Sequence, residues 1–361
     1  MIRKEIAAAL AGIGIFLTVV ATPVAAAPRD LFGLTKGKEA LNGQDLNTIR
    51  STRVQTFRFV LDWSGTQPNG GAPPNFVPTD NFVGDLAAKG IRPLPFVYGS
   101  PSWIAKSPNR PPLGSPRKQR AWRSFLAAAV KRYEPGGTYW TGGGPGDYQQ
   151  QHPGASPKPI TAWQIWNEPN LPKYFVRKNL TRKYAKLVKI SNAAISGADP
   201  QGKVVLAGLT GYAKPRGWTL LDHLYDIRGF KRRFDVAALH PYAATIGQFR
   251  TELKKMHQVM KQHHDGGTAL WLTEVGWGSS RGSRRFPLNK GLQGQKRMLR
   301  RSFKYVLRKR RALGINRVLW FQWRDPAGGG KFACSFCDSA GLLRHNSEPK
   351  PAYRAFKRFT R

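Results

Sequence analysis

Two short motifs carry residues suited to acid–base and nucleophilic chemistry. Trp163-Gln-Ile-Trp-Asn-Glu-Pro-Asn170 closes one apolar run and presents Glu168. Leu272-Thr-Glu-Val-Gly-Trp277 closes another and presents Glu274. An Asn-Glu-Pro tripeptide arises by chance about once in 10⁴ positions at average residue usage. Glu168 read alone is compatible with a solvated loop acid, and Glu274 with an ion-pair partner in a basic protein. Yet acids are scarce here, and each of these two is flanked by apolar strand residues. Two carboxylates facing one sugar suit glycosidic cleavage. One protonates the leaving oxygen, and the other attacks the anomeric carbon or activates water.

Such a pair, far apart in sequence, needs a fold that closes on itself. Eight short apolar runs recur: 31–34, 56–61, 91–98, 162–166, 204–209, 236–239, 269–273 and 317–323. Near-continuous apolar strands suggest a parallel sheet buried on both faces. Helical spacing of apolar residues over 117–132, 180–196, 292–313 and 351–359 fills several of the gaps. Eight strand–helix repeats predict a single-domain (β/α)8 barrel, with a doubly wound open sheet as the alternative. In a barrel both motifs end at the C-terminal face, where active sites lie. The loop 64–81 follows the second strand on that face. The segment 134–159 carries Tyr139, Trp140 and Tyr148, follows a helix, and belongs to the opposite face as packing. No G-x-G-x-x-G follows a strand and no phosphate-binding loop occurs, so nucleotide chemistry has no support.

Trp-Asn-Glu-Pro on the fourth strand with Thr-Glu-Val-Gly-Trp on the seventh resembles clan A of the glycoside hydrolases, families 5 and 39 in particular. The resemblance runs over nearly all of 28–361. It implies a (β/α)8 barrel and retaining hydrolysis of a carbohydrate without metal or cofactor. Glu168 matches the acid/base and Glu274 the nucleophile. Asn167 matches the asparagine that holds the sugar 2-hydroxyl. Arg58, in Thr-Phe-Arg-Phe, matches an arginine beside the nucleophile. His240 and Tyr242, in Leu-His-Pro-Tyr, match a pair that orients carboxylates and sugar. Trp320 matches an aromatic platform under the sugar at the cleaved bond. Some relatives carry a histidine near the end of strand three. Tyr98-Gly-Ser-Pro-Ser-Trp103 has none, which leaves Trp103 as a stacking candidate there. Trp277 and Trp323 are further candidates, since indole faces suit the apolar faces of pyranoses.

Residues 1–27 read as a secretory signal: Arg3 and Lys4, an apolar run from Ile6 to Val20, then small residues up to Ala27. The run is short for a bilayer span. The expected mature domain is therefore 28–361, outside the cytoplasm. In that setting Cys334 and Cys337 suggest a local disulfide. Zinc would need more ligands, and a redox C-x-x-C would need a thioredoxin context.

Charge is the outlier: 59 Lys and Arg against 20 Asp and Glu, a formal net of +39. Such a protein attracts polyanions. Arg281, Arg284, Arg285 and Lys290 after strand seven, Lys214 and Arg216 after strand five, and Arg324 and Lys331 after strand eight would make a basic rim that favours acidic glycans. A sugar-binding barrel without catalysis and a polyanion-binding surface protein are the competing readings. The first is opposed by the intact glutamate pair, and the second lacks a nucleic-acid motif. Oligomeric state is not legible.

Overall fold

The computed structural model describes residues 27–144, 146–327, 334 and 336–361. The signal expected over 1–27 lies outside the described residues except for Ala27, as does Lys331. The architecture is a closed (β/α)8 barrel. Its strands are β1 (Phe32–Thr35), β2 (Thr56–Asp62), β3 (Arg92–Tyr98), β4 (Ala162–Ile165), β5 (Lys203–Leu206), β6 (Val236–His240), β7 (Ala269–Val275) and β8 (Ile315–Phe321). Each is parallel to the next. β8 returns to β1 with Phe32 opposite Val318. The β5–β6 seam is narrow: Val205 opposes Val236, and a two-residue continuation, Leu209–Thr210, then pairs with Leu239 and His240. Eight helices cover the barrel: α1 (Gly43–Ser51), α2 (Val77–Ala88), α3 (Pro116–Tyr133), α4 (Leu180–Ala198), α5 (Gly217–Tyr225), α6 (Ile246–Gln262), α7 (Gly291–Lys309) and α8 (Pro351–Thr360).

Strand alternation divides the core. Trp163 and Ile165 of β4 join the large apolar cluster between strands and helices. Ala162 turns inward with Leu94, Val205, Val236, Ala238, Trp271 and Leu319 to fill the barrel floor. One step up, the inward residues are polar: Arg58, Gln164, His240 and Thr273 are all buried. The interior thus changes from apolar at the floor to hydrogen-bonded below the C-terminal mouth, where the site is built.

Three boundaries differ from the sequence reading. The run 204–209 breaks after Leu206, because the chain must pass close to His240 at Gly208. β8 ends at Phe321, so Trp323 lies beyond it and donates its indole N–H to Asp45 Oδ1 at 3.1 Å. The expected loop 64–81 gives way to α2 at Val77, where Pro78 in the first turn suits a helix start. Tyr139, Trp140 and Tyr148 do pack on one another, with ring centroids 4.9–5.9 Å apart. No helix among the described residues is long and apolar enough to cross a membrane.

α2 and α3 are tied by one buried acid. Asp80 accepts two bonds from the Arg132 guanidinium, both at 2.7 Å, and one from Tyr133 Oη at 2.6 Å. Removing it strands two donors in a largely dry place. Asp80→Ala should destabilise the fold by about 3 kcal/mol. The urea midpoint should fall with little change in the denaturant slope, and an unchanged midpoint would refute the clasp.

Candidate active site

Each side chain of the site sits on or just past an inward strand position. Arg58 on β2 is the hub. Its Nη1 reaches Glu274 Oε1 on β7 at 2.6 Å, Nη2 reaches Asn167 Oδ1 at 2.8 Å, and Nε donates to Gln164 Oε1 on β4. The guanidinium also lies 4.0 Å from the ring centre of Phe96 on β3. Gln164 spends its amide on Leu206 O and Thr273 Oγ1, at 2.9 and 3.2 Å. Thr273 Oγ1 lies 3.0 Å from His240 Nε2, and His240 Nδ1 lies 2.8 Å from Glu168 Oε1. The ring nitrogen donates when Glu168 is ionised and accepts when the carboxyl carries the proton. Tyr242 Oη donates to Glu274 Oε2 at 2.6 Å.

The two glutamates are unlike in environment. Burial raises the Glu168 pKa; His240 and, more weakly, Arg58 act against that, and the Glu274 charge adds to it. Burial would raise Glu274 as well. There the charges of His240 and Arg58, with hydrogen bonds from Tyr242 and Arg58, outweigh it and bring the pKa below the ordinary glutamate value. One acid is therefore biased toward its protonated form and its neighbour toward its ionised form. A carboxylate oxygen of each, with a ring nitrogen of His240, lie within 4.8 Å of one another. The same three groups form a metal-type donor set. However, both oxygens of Glu274 already accept from Arg58 and Tyr242, and the guanidinium supplies the positive charge.

The loop that carries Glu168 is held under strain. Trp166 and Glu168 have φ of 73° and 39°, in the left-handed region that non-glycine residues rarely adopt. Asn170 fixes the far side through Thr210 O and Pro215 O, at 2.9 and 3.0 Å. Above the pair opens a cavity of ≈1390 Å³, lined by Asn167, Glu168, Tyr242 and Glu274 among others.

The structure brings Glu168, Glu274, Arg58, Asn167, His240 and Tyr242 together, and separates the tryptophans from them. Leu319 and Phe321 of β8 face inward, so Trp320 between them faces outward. It is fully buried beside Phe303 of α7 and Trp277, at 6.3 and 6.1 Å. The aromatic ring that β8 presents to the cavity is Phe321. Trp277 is likewise fully buried and donates to Ala243 O at 2.7 Å. Trp103 stands edge-on to Trp63 at 5.7 Å and donates to Gln67 O, bracing the loop after β2. Cys334 and Cys337 are joined in a disulfide at the cavity wall, and Phe336 between them packs on Tyr242 at 4.9 Å. Of the basic rim, Arg216 lines the cavity. Arg324 is instead paired with Asp45 at 3.0 Å. Arg281, Arg284 and Arg285 are exposed and outside the lining. Sequence reasoning missed Gln164 and Thr273, whose signal is a polar residue at an inward position of an otherwise apolar strand.

A family model described as glycosyl hydrolase catalytic core matches residues 135–346. The chain belongs to the glycosyl hydrolases. Solved structures give the same fold. A family 39 glycoside hydrolase from the gut symbiont Bacteroides cellulosilyticus WH2 superposes with TM-score 0.64 at 19% identity, over 92% of this chain and 64% of that one. An exo-β-1,4-mannosidase from Opitutaceae bacterium strain TAV5 gives 0.64 at 14% identity, over 92% and 59%. Xylanase 10B from Thermotoga maritima gives 0.63 at 14% identity, over 92% and 95%. This glycosyl hydrolase thus spans less than two thirds of the length of the first two. No curated protein matches its sequence.

Gly208 sets a tight constraint on His240. A Cβ there would fall 1.9 Å from His240 Nε2. Gly208→Ala should push the imidazole off Glu168 and lower glycosidase kcat/KM by about 10²-fold or more, the scale expected for an ångström of misplacement. Turnover within about threefold of the parent, on any substrate it cleaves, would show that the close approach has no role.

Proposed function

We propose that the protein hydrolyses glycosidic bonds with retention of anomeric configuration, with Glu274 as nucleophile and Glu168 as acid/base. The observation that carries this is the separation of the carboxylate oxygens, within 4.8 Å. Retaining enzymes place the two carboxyl groups about 5–5.5 Å apart, whereas inverting ones leave about 6.5–9.5 Å for a water. In the first step Glu274 bonds to the anomeric carbon as the glycosidic bond breaks, and Glu168 gives its proton to the departing oxygen. In the second, Glu168 takes a proton from water. That water attacks the anomeric carbon and frees Glu274. The electrostatics suit these roles, since His240, Arg58 and Tyr242 hold the pKa of Glu274 below the ordinary glutamate value while burial raises that of Glu168. The amide nitrogen of Asn167, whose oxygen is held by Arg58, is the donor for a sugar hydroxyl.

The substrate in this reading is an acidic glycan met outside the cell. Export rests on the basic, apolar and small-residue sequence of 1–27. The acidic preference rests on the cavity wall, to which Lys36, Lys173, Arg216 and Lys255 contribute. The rim arginines after β7 do not line it, so the charge that matters is in the wall.

The roles separate by mutation. Glu274→Ala should abolish turnover, with azide restoring a product of inverted configuration. Glu168→Ala should keep turnover of aryl glycosides with acidic leaving groups and lose it for poor ones. Identical responses of the two variants would overturn the assignment. The pH dependence has a definite sign. Activity needs Glu274 ionised and Glu168 protonated. The acid limb of kcat/KM should therefore lie below the ordinary glutamate value of 4.5, and the alkaline limb above it. An acid limb above 4.5, or an alkaline limb below it, would count against the pairing.

A further inference from the structure

One wing of the cavity is formed by residues that the mechanism above leaves unused. Its first wall is α6. Gln248, Thr251, Glu252 and Lys255 recur at the spacing that puts residues on one helix face, and all four line the cavity. The opposite face of α6 is buried core, with Phe249, Leu253, Met256 and Met260. The second wall is the turn before α5 and its first residues, which present Tyr212, Arg216 and Trp218. Tyr212 is 49% exposed, a large apolar surface left open at the wing's edge.

Three features of this wing want a ligand. Trp218 is half-buried, and its ring centre lies 5.9 Å from the Arg216 guanidinium and 5.3 Å from the Lys255 ammonium. Two cations held over one indole offer a carboxylate two charged donors, and the indole adds apolar surface beside them. Neither cation makes an ion pair among the described residues. Glu252 is the acid of this wing. It is 6% exposed, and its Oε2 has no hydrogen-bond partner. A Cβ at Gly211 would fall 2.0 Å from that oxygen, so the turn carrying Arg216 closes directly on the carboxyl. Burial lifts the Glu252 pKa to about 8 against the pull of Arg216. Near neutrality it therefore does not cancel the two cations.

We propose that Arg216, Trp218 and Lys255, beside Glu252, form a subsite for a uronate-type sugar unit of a longer chain, built from residues other than those of the glutamate pair. Trp218 packs against the sugar, and Arg216 and Lys255 hold the carboxylate, next to a Glu252 whose pKa burial has raised. The enzyme then reads chain length and charge with one set of residues and performs its chemistry with another. This rests on the glycosidase reading, and the test below scores the two separately.

Binding is measured by calorimetry on the full chain in a Glu274→Gln background. The probes are galacturonate, glucuronate and mannuronate oligomers of three to five units, each paired with its carboxyl-reduced, neutral counterpart. At least one oligouronate should bind about tenfold or more tighter than its neutral pair. Arg216→Gln with Lys255→Gln should erase that difference. Trp218→Ala should weaken both members of the pair. Glu252→Gln, which keeps the shape and adds no charge, should preserve the preference. The proposal is overturned if no oligouronate is preferred over its neutral pair, if the double variant keeps the preference, or if Trp218→Ala binds as before. Loss of aryl glycoside turnover in Glu274→Ala is read independently and judges the catalytic assignment instead.

Discussion

A guanidinium with no access to water must find its counter-charge and its acceptors inside the protein, and Arg58 is such a group. Burial works against its charge, and the Glu274 carboxylate works for it. Its three acceptors come from β7, from β4 and from the turn after β4. These strands are neighbours only in a closed barrel at the observed register, with Arg58 opposite Leu94 on β3 and Gln164 opposite Phe96. A slip of one residue in β2 would turn Arg58 out among the apolar helix contacts and leave Glu274 buried without a cation. Site and fold are thus specified by the same bonds.

The difference between the two glutamates follows from that arrangement. Both are buried acids within one small volume, and two adjacent carboxylates cannot both ionise cheaply. His240, Arg58 and Tyr242 bias the pair toward an ionised Glu274, and of these Arg58 and Tyr242 donate to Glu274 and not to Glu168. His240 stands between them, 2.8 Å from Glu168 Oε1 and 3.6 Å from Glu274 Oε2. Its orientation is fixed from behind by Thr273, which sits one residue before Glu274 on β7. A strand residue facing inward positions the histidine, and the next one along reaches the mouth.

Much of this could be read before any coordinates. The eight strands are visible as apolar runs because both faces of a parallel barrel strand are buried, which leaves little alternation to obscure them. The glutamates stand out because Asn-Glu-Pro and Thr-Glu-Val interrupt such runs with charge. The tryptophans misled for the same reason. Trp277 and Trp320 sit beside inward residues, and apolar composition on both faces hides which way a strand residue points. Only register separates Trp320 from Phe321. Helices α1, α2, α5 and α6 were not distinguished. Several carry polar residues for local reasons: Asn42 and Asp45 cap α1 reciprocally, and Thr245 and Gln248 do so for α6. Glu252 and Trp218 looked like ordinary helix residues, since nothing local records that their faces meet across a cavity.

The net charge of +39 is a weak guide to function taken whole and a better one taken by location. A cation on the outside of the barrel acts through water and salt, and its influence fades within about 10 Å at 0.1 M. Arg281, Arg284 and Arg285 are of that kind. Arg216 and Lys255 are exposed as well, but they line the cavity and lie over an indole, and the acid that Arg216 acts on, Glu252, is lifted by burial to a pKa of about 8. Positive potential in the wing then comes from suppressing one negative charge as much as from supplying two positive ones. Burial raises the pKa of Glu168 and of Glu252 alike, so one physical effect shapes both the glutamate pair at the mouth and the charge of the cavity wall.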